Sequence, residues 1–204
     1  MLKNKDFYPG KKAFVFELDD VLYPERDYLL QIYYLFSNFI EFTEGFPLAS
    51  DLTEFFKNTY LDLGDNGIFD RAKGEYGIEE KYRDNFDRLY YSARLPLKLL
   101  LFPNVLILLQ ELINQRKEIF IVTNGKPEIQ INKIMQTEWN GLEKYLKVYY
   151  SQEINLKPEP DVLSYILKKY DLLKEDLLIM GSTQTDEKFA VSGGVDFLNI
   201  SEFM

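Results

Sequence analysis

The stretch FVFELDDVLYP, residues 14–24, decides the fold because a short apolar run ends abruptly in carboxylates. Residues 13–16 are too few and too rich in β-forming side chains for a helix, so we predict a buried strand. Glu17 and Asp19 are two residues apart and therefore point the same way in an extended chain. Open α/β sheets bind their ligands at the carboxyl ends of strands. The stretch therefore indicates either a ligand site at the end of a strand or a solvated loop that follows it.

Segments of strand and helix character alternate through most of the remaining chain. The other predicted strands are short, apolar and rich in β-branched or aromatic residues, and they cover 118–123, 148–150, 176–180 and 195–200. The helices predicted between them carry apolar residues at helical spacing, and they cover 103–116, 127–137, 161–170 and a segment that ends near 192. Repeated strand–helix units form a parallel sheet with helices on both faces. The pattern therefore predicts an α/β fold with a Rossmann-like parallel sheet.

Residues 22–97 interrupt this alternation with helical patterns alone. Ser50 or Asp51 is the expected cap of the second helix in this block. The aromatic stripes of these helices are assigned to the block's own core, with one or two rings facing a substrate cleft. We therefore predict a small all-α domain at 22–97, inserted into an α/β core domain formed by 1–21 and 98–204.

The composition excludes several classes of function. The 204-residue chain has no cysteine and no histidine, so disulfides, the usual zinc sites and Ser-His-Asp or Cys-His catalysis are excluded. Its formal charge of −9 repels nucleic acid and anionic lipid, and we expect neither as a partner. Asp62, Asp65 and Asp70 lack the spacing of a calcium loop and are expected in a solvated loop. With neither a signal peptide nor a membrane-length apolar run in the sequence, the cytoplasm is the expected location.

Polar residues follow four of the predicted strands, at the edge of the sheet where their carboxyl ends meet. They are Glu17 and Asp19, Thr123 and Asn124, Lys157, and Ser182 and Asp186. Taken singly, each has a structural explanation, such as a helix cap or a surface lysine. Taken together, they combine carboxylates for a divalent cation with a hydroxyl, backbone amides and an ammonium for an anion. The set predicts a phosphate site with magnesium.

These four signals resemble the motifs of the haloacid dehalogenase-like hydrolases, in the same order and context over nearly the whole chain. The family's D-x-D-x-[TV]-L, T-N-G, K-P-x-P and G-D-x-x-x-D motifs correspond here to ELDDVL (17–22), TNG (123–125), KPEP (157–160) and GSTQTD (181–186). The predicted helical insert begins directly after the first motif, where the family carries an all-α cap. The resemblance therefore implies a Rossmann-like core with a small helical cap domain.

The resemblance implies hydrolysis of a small phosphorylated metabolite through an aspartyl-phosphate, with Mg²⁺ as the cofactor. Glu17 stands at the nucleophile position, and Asp19 at the position of the general acid and base. Thr123 and Lys157 are implied as catalytic clamps on the phosphoryl group, with Asn124 beside them as a phosphate-binding residue. The implied metal ligands are Glu17, Asp19, Ser182 and Asp186. Nothing in the sequence names the substrate or the oligomeric state.

Two of these positions depart from the family pattern. Glu17 replaces the nucleophilic aspartate, and its extra methylene displaces the carboxylate by roughly 1.5 Å. Ser182 replaces the first aspartate of the fourth motif, so a charged metal ligand becomes neutral and Mg²⁺ affinity is expected to fall. The longer reach of Glu17 offers one compensation for Ser182. We expect a phosphatase with weak or no turnover; the alternative is a non-catalytic homologue that binds a phosphorylated ligand or a partner protein.

Overall fold

A computed structural model describes residues 8–202 and contains seven strands and eight α-helices within that range. The strands are β1 (Ala13–Phe16), β2 (Leu99–Leu100), β3 (Glu118–Thr123), β4 (Thr137–Glu138), β5 (Leu146–Tyr150), β6 (Leu177–Gly181) and β7 (Asp196–Asn199). The helices are α1 (Glu25–Glu44), α2 (Ala49–Leu63), α3 (Ile68–Tyr76), α4 (Arg83–Ser92), α5 (Pro103–Asn114), α6 (Pro127–Gln136), α7 (Asp161–Lys169) and α8 (Gln184–Gly193).

Five of the strands form one parallel sheet in the order β5-β3-β1-β6-β7. This arrangement confirms the predicted α/β fold with a Rossmann-like parallel sheet flanked by helices. Strand β1 is central, and Val15 lies between Phe120 of β3 and Ile179 of β6. All four residues of β1 are buried, as is usual for a parallel sheet covered on both faces. The carboxyl ends of β1, β3 and β6 therefore lie side by side in the middle of the sheet.

One face of this sheet packs against α7 and α8. The apolar cluster there is formed by Ala13, Val15, Phe120, Val122, Val162, Leu163, Ile166, Leu177, Ile179, Phe189 and Ala190. Gly193 at the end of α8 lets the helix approach α7, because a Cβ at this position would overlap the Leu163 side chain. The two helices are thereby fixed against the strands whose ends carry the predicted site.

The chain divides into two compact units. The first contains the five-stranded sheet and comprises the segments up to Pro24, Leu100–Pro127 and from Glu138 onward. The second comprises Glu25–Leu99 and Glu128–Thr137, and so contains α1 to α4 and nearly all of α6. The boundaries predicted for an inserted cap domain stay a prediction.

The second unit has an aromatic core of its own. Phe86 lies at its centre, with five neighbouring rings whose centroids are 4.9–6.4 Å away. Helix α6 joins this unit through polar contacts: the amide of Asn132 donates to the carbonyl of Ala93, and the buried Lys133 pairs with Glu25 at 2.9 Å. Ion pairing is the usual condition for burying a lysine, so these contacts explain why α6 clusters with α1 to α4.

The start of α2 corrects one expectation from the sequence. Neither Ser50 nor Asp51 caps this helix, because the residue at the cap position is Leu48. The backbone amide of Ala49 instead donates to the Glu41 carboxylate at 3.0 Å. A side chain from the preceding helix thus binds the first amide of α2, which has no partner within the helix. The residues next to Ala49 in the sequence do not indicate this contact.

Across residues 8–202, every helix is too short or too polar to cross a membrane.

Candidate active site

Glu17 follows β1 directly, and its carboxylate is held from several sides. Oε1 accepts a hydrogen bond of 2.9 Å from the backbone amide of Leu18. Oε2 accepts from the ammonium of Lys157, and the hydroxyl of Thr123 at the end of β3 also bonds to the carboxylate. The Glu17 side chain is only 12% exposed. The predicted nucleophile position is therefore a largely buried, ion-paired carboxylate.

Lys157 lies in the loop between β5 and α7, where Asn124 fixes its backbone. The Asn124 side chain accepts from the Lys157 amide at 2.8 Å and donates to the Lys157 carbonyl at 3.0 Å. This double contact directs the ammonium inward, where it bonds Glu17 and lies 2.5 Å from Oδ1 of Asp186. Both functional groups of the Asn124 amide are engaged by Lys157, so Asn124 acts here as a positioning residue for the lysine.

Asp186 lies in the first turn of α8 and closes a capping box with Thr183. The Asp186 amide donates to the Thr183 hydroxyl oxygen, while Oδ2 of Asp186 accepts from that hydroxyl at 2.7 Å and from the Thr183 amide at 3.1 Å. The Ser182 amide donates to the same oxygen at 3.2 Å. Gly181 makes this possible, because a Cβ there would lie 2.7 Å from Cγ of Asp186.

The three charged groups shift one another's pKa values. Burial raises the pKa of Glu17 above its ordinary value, and the opposing attraction of Lys157 only partly offsets it. Burial acts to lower the pKa of Lys157, but the charges of Glu17 and Asp186 outweigh it and the pKa is raised. Burial acts to raise the pKa of Asp186, but Lys157 and the hydrogen bonds from Thr183 outweigh it and the pKa is lowered. Asp186 and Lys157 are thus held ionised, whereas ionisation of Glu17 carries a desolvation cost.

The raised pKa of Glu17 gives a testable pH dependence. A carboxyl group whose pKa is higher in the folded state stabilises the fold below its unfolded value of 4.5, and loses that contribution as the pH rises through the folded value. The Glu17→Gln variant does not titrate at this position. We therefore expect the unfolding free energy of Glu17→Gln to rise relative to the wild type between acidic and neutral pH, as measured by urea unfolding. A relative stability that falls or stays constant over this range would contradict the burial of an ionised Glu17.

Asp19, the predicted general acid and base, lies two residues beyond Glu17 and takes part in the turn that follows β1. Oδ1 of Asp19 accepts from the hydroxyl of Tyr23 at 3.2 Å, and the Asp20 amide closes the turn by donating to the Tyr23 carbonyl at 2.9 Å. Asp20 has a φ of 55°, a left-handed conformation that aspartate tolerates. The turn therefore fixes Asp19 through Tyr23, a residue for which the sequence analysis assigned no role.

The donor set does not fit a divalent cation as its side chains stand. Both oxygens of Glu17 and both oxygens of Asp186 accept hydrogen bonds from the protein. Ser182 Oγ is buried and has no hydrogen-bond partner, but a hydroxyl contributes no charge. Within residues 8–202, no group of three or more acidic side chains is arranged to hold a metal ion. The predicted metal ligands Glu17, Asp19, Ser182 and Asp186 thus lie near one edge of the sheet without forming an oxygen cage.

Thr183 is the site residue that the sequence analysis missed. Its hydroxyl and amide both bond to Asp186, so it sets the orientation of that carboxylate. The signal was available as the pattern T-x-x-D at 183–186, with a strand before it and a helix after it. Thr183 is the cap of α8, and Asp186 is its partner in the capping box.

The comparison with family models decides the classification. The model described as haloacid dehalogenase-like hydrolase matches residues 14–200. The chain belongs to this family. The match confirms the resemblance drawn from the four motifs, and it includes Glu17 and Ser182, where this haloacid dehalogenase-like hydrolase departs from the motif pattern. None of the curated proteins compared with the chain matches it.

Solved structures of this fold resemble the chain along nearly its whole length. A hydrolase from Streptococcus pneumoniae TIGR4 is 19% identical, with 95% of this chain and 96% of that chain covered and a TM-score of 0.59. A predicted phosphoglycolate phosphatase from Haemophilus somnus 129pt is 23% identical, with coverages of 94% and 85% and a TM-score of 0.61. A HAD-superfamily hydrolase of subfamily IA from Geobacter sulfurreducens PCA is 18% identical, with coverages of 93% and 87% and a TM-score of 0.54. At these identities the likeness shows the fold alone.

Proposed function

We propose that this haloacid dehalogenase-like hydrolase derives from Mg²⁺-dependent phosphohydrolases of small phosphorylated metabolites and retains weak turnover at most. The observation that carries the proposal is the ion pair between Glu17, at the nucleophile position, and Lys157, at the position of the phosphate clamp. The similarity to a predicted phosphoglycolate phosphatase supports a small phosphorylated metabolite as the ancestral substrate class. The second unit is proposed to be the helical cap that selects this substrate, and the cytoplasm stays the expected location.

In-line attack on phosphorus sets narrow limits on where a nucleophile can stand. A carboxylate displaced by about 1 Å can lose roughly 10²-fold in rate, and the added methylene of Glu17 moves it by roughly 1.5 Å. The displaced carboxylate also binds Lys157, so neither group is free for a substrate without breaking that ion pair. Asp19, held by the Tyr23 hydroxyl, remains the candidate group that would protonate a leaving oxygen and then activate water.

The charge of the site also opposes binding of a phosphate ester. Glu17, Lys157 and Asp186 carry two negative charges and one positive charge when all are ionised, so an incoming phosphate dianion meets a net negative cluster. The Thr123 hydroxyl, implied by the family as a clamp, bonds to the Glu17 carboxylate instead. The net negative charge and the engagement of Thr123 by Glu17 are both expected to lower turnover.

An assay on a generic aryl phosphate and a panel of phosphorylated metabolites, with Mg²⁺ present, tests this proposal. We expect a wild-type turnover number below about 1 s⁻¹, the lower end of the usual enzyme range. The variant Glu17→Asp/Ser182→Asp restores the motif pattern and should exceed the wild type by about 10²-fold.

The control variant is Glu17→Asp/Ser164→Asp, which adds the same charge at an exposed position of α7. It restores the nucleophile without the second motif carboxylate, so its turnover should stay below that of Glu17→Asp/Ser182→Asp. Wild-type turnover within the usual range of about 1–10³ s⁻¹, abolished by Asp19→Asn, would overturn the proposal of weak activity. If neither wild type nor the restored variant turns over any ester, the non-catalytic alternative replaces it.

A further inference from the structure

We infer that the site at the carboxyl edge of the sheet takes no divalent cation, and that the Lys157 ammonium balances its carboxylates instead. This inference rests on the proposed function, in that it concerns the same site and the cofactor of its ancestor. It goes further because it links the two departures from the motif pattern, Glu17 and Ser182, to one charge arrangement: with serine at 182, the motif lysine Lys157 balances the carboxylates of Glu17 and Asp186 without a metal.

The first argument is that donors of the protein already bind both carboxylate oxygens of Glu17 and of Asp186. Asp186 gives Oδ1 to Lys157 at 2.5 Å and Oδ2 to three donors of the Ser182–Thr183 turn. Glu17 gives Oε2 to Lys157 and Oε1 to the Leu18 amide. A magnesium ion needs near-octahedral oxygen coordination, anchored by one or two carboxylates. The Lys157 ammonium lies against both carboxylates, so a cation that bound them would meet its positive charge or have to displace it.

The second argument is that Ser182 contributes no negative charge at a position where the family motif has an aspartate. Its Oγ is buried and has no hydrogen-bond partner among residues 8–202, so this oxygen faces the protein interior. A carboxylate here would add a third negative group to Glu17 and Asp186, with one ammonium to balance them. An unpaired buried charge is strongly destabilising, so aspartate at 182 fits a site that holds a divalent cation and serine fits a site that does not.

The third argument is the reach of Glu17. Its carboxylate contacts an ammonium that Asp186 also contacts, although Glu17 follows β1 and Asp186 lies in the first turn of α8. The lysine side chain is 3% exposed, and so is that of Asp186. The resulting cluster has one buried ammonium between two carboxylates. In this arrangement the lysine supplies the counter-charge of both acids.

The test measures the change in melting temperature when millimolar Mg²⁺ replaces NaCl at matched ionic strength, without substrate. The reference variant is Glu17→Ala/Ser182→Ala, which keeps the acidic surface and so corrects for Mg²⁺ bound elsewhere. We expect the Mg²⁺-induced shift of the wild type to equal that of the reference. A wild-type shift larger by about 2 °C or more, the size that a ligand contributing about 1 kcal/mol gives a chain of this length, would overturn the inference.

Restoring the two carboxylates of the family motifs should make the melting temperature depend on Mg²⁺. We expect Glu17→Asp/Ser182→Asp to melt at a lower temperature than the wild type in a chelator and to gain at least about 2 °C specifically from Mg²⁺. The variant Glu17→Asp/Ser164→Asp, with the same charge on the surface, should gain no more than the reference. Because these shifts are read without substrate, they are independent of turnover: an active wild type with no Mg²⁺ shift would overturn only the proposed function, whereas an inactive wild type with a specific shift would overturn only this inference.

Discussion

Replacing Lys157 with methionine is expected to lower the free energy of unfolding by about 3–5 kcal/mol. Methionine fills a similar volume but removes the ammonium that lies between Glu17 and Asp186. Two buried carboxylates are then left without their counter-charge, and removing one partner of a buried ion pair typically has an effect of this size. Urea unfolding monitored by circular dichroism at neutral pH measures it.

Two control variants separate the effect of the lost charge on the free energy of unfolding from the effect of changed packing. Lys73→Met breaks an ion pair with Glu80 whose side chains are both about half exposed, and it should change stability by no more than about 1 kcal/mol. The triple variant Glu17→Gln/Lys157→Met/Asp186→Asn removes all three charges together and should recover much of the loss, because a neutral cluster has no uncompensated ion. A Lys157→Met variant as stable as Lys73→Met would show that the cluster is not a buried ionic unit.

Replacing Phe86 with alanine is expected to destabilise the second unit by about 3–5 kcal/mol. Phe86 is buried, and the rings of five aromatic residues from α1, α2, α3 and α4 lie around it. The substitution leaves a cavity that several helices would have to move to fill, and this adds to the lost burial of the ring. Thermal unfolding followed by near-ultraviolet circular dichroism reports on these packed aromatic side chains.

The matched control is Phe42→Ala in α1, whose side chain is 92% exposed. It should change stability by no more than about 0.5 kcal/mol. If the two variants were equally stable, the aromatic stripe through Phe86 would not be the core of this unit, and its assignment to a substrate-facing surface would gain support.

The strands were predictable from sequence because each is a short apolar run that ends in turn residues. The predicted strands 13–16 and 118–123 coincide with β1 and β3, and 176–180 differs from β6 by one residue at each end. In contrast, the two-residue strands β2 and β4 gave no pattern, because pairs of residues carry no periodicity. The clustering of α6 with the second unit was also hidden, since its buried lysine pairs with a residue more than 100 positions away.

The sequence predicts which residues form the site, but it does not predict the hydrogen bonds between them. Glu17, Thr123, Lys157 and Asp186 converge as the strand order requires, because β1, β3 and β6 are neighbours. The pairing of each carboxylate oxygen with its donor depends on side-chain rotamers and on the loop that carries Lys157. Neither can be predicted from the neighbouring residues in the sequence. Thus Asp186 is the partner of the Thr183 cap in the capping box of α8 as well as an ion-pair partner of Lys157.

The contacts of Asp65 are a second example of hydrogen bonds that the sequence does not predict. Asp65, expected in a solvated loop, accepts hydrogen bonds from the hydroxyls of Tyr33 and Tyr90 at 2.5 and 2.7 Å. Burial, followed by the nearby Asp65 carboxylate, raises the pKa of both tyrosines. The partners come from α1 and α4, so only the packing of helices distant in sequence reveals the role of this aspartate as an anchor between them.

The central claim is that a buried lysine, and not a metal ion, balances the carboxylates at the carboxyl edge of the sheet. The most direct measurement is an anomalous difference map from wild-type crystals soaked in Mn²⁺, which occupies magnesium sites and scatters anomalously. We expect Lys157 between Glu17 and Asp186, with no anomalous peak at these carboxylates, and a peak there in crystals of Glu17→Asp/Ser182→Asp. A wild-type peak at roughly 2.0–2.2 Å from the oxygens of Glu17 or Asp186 would contradict the account.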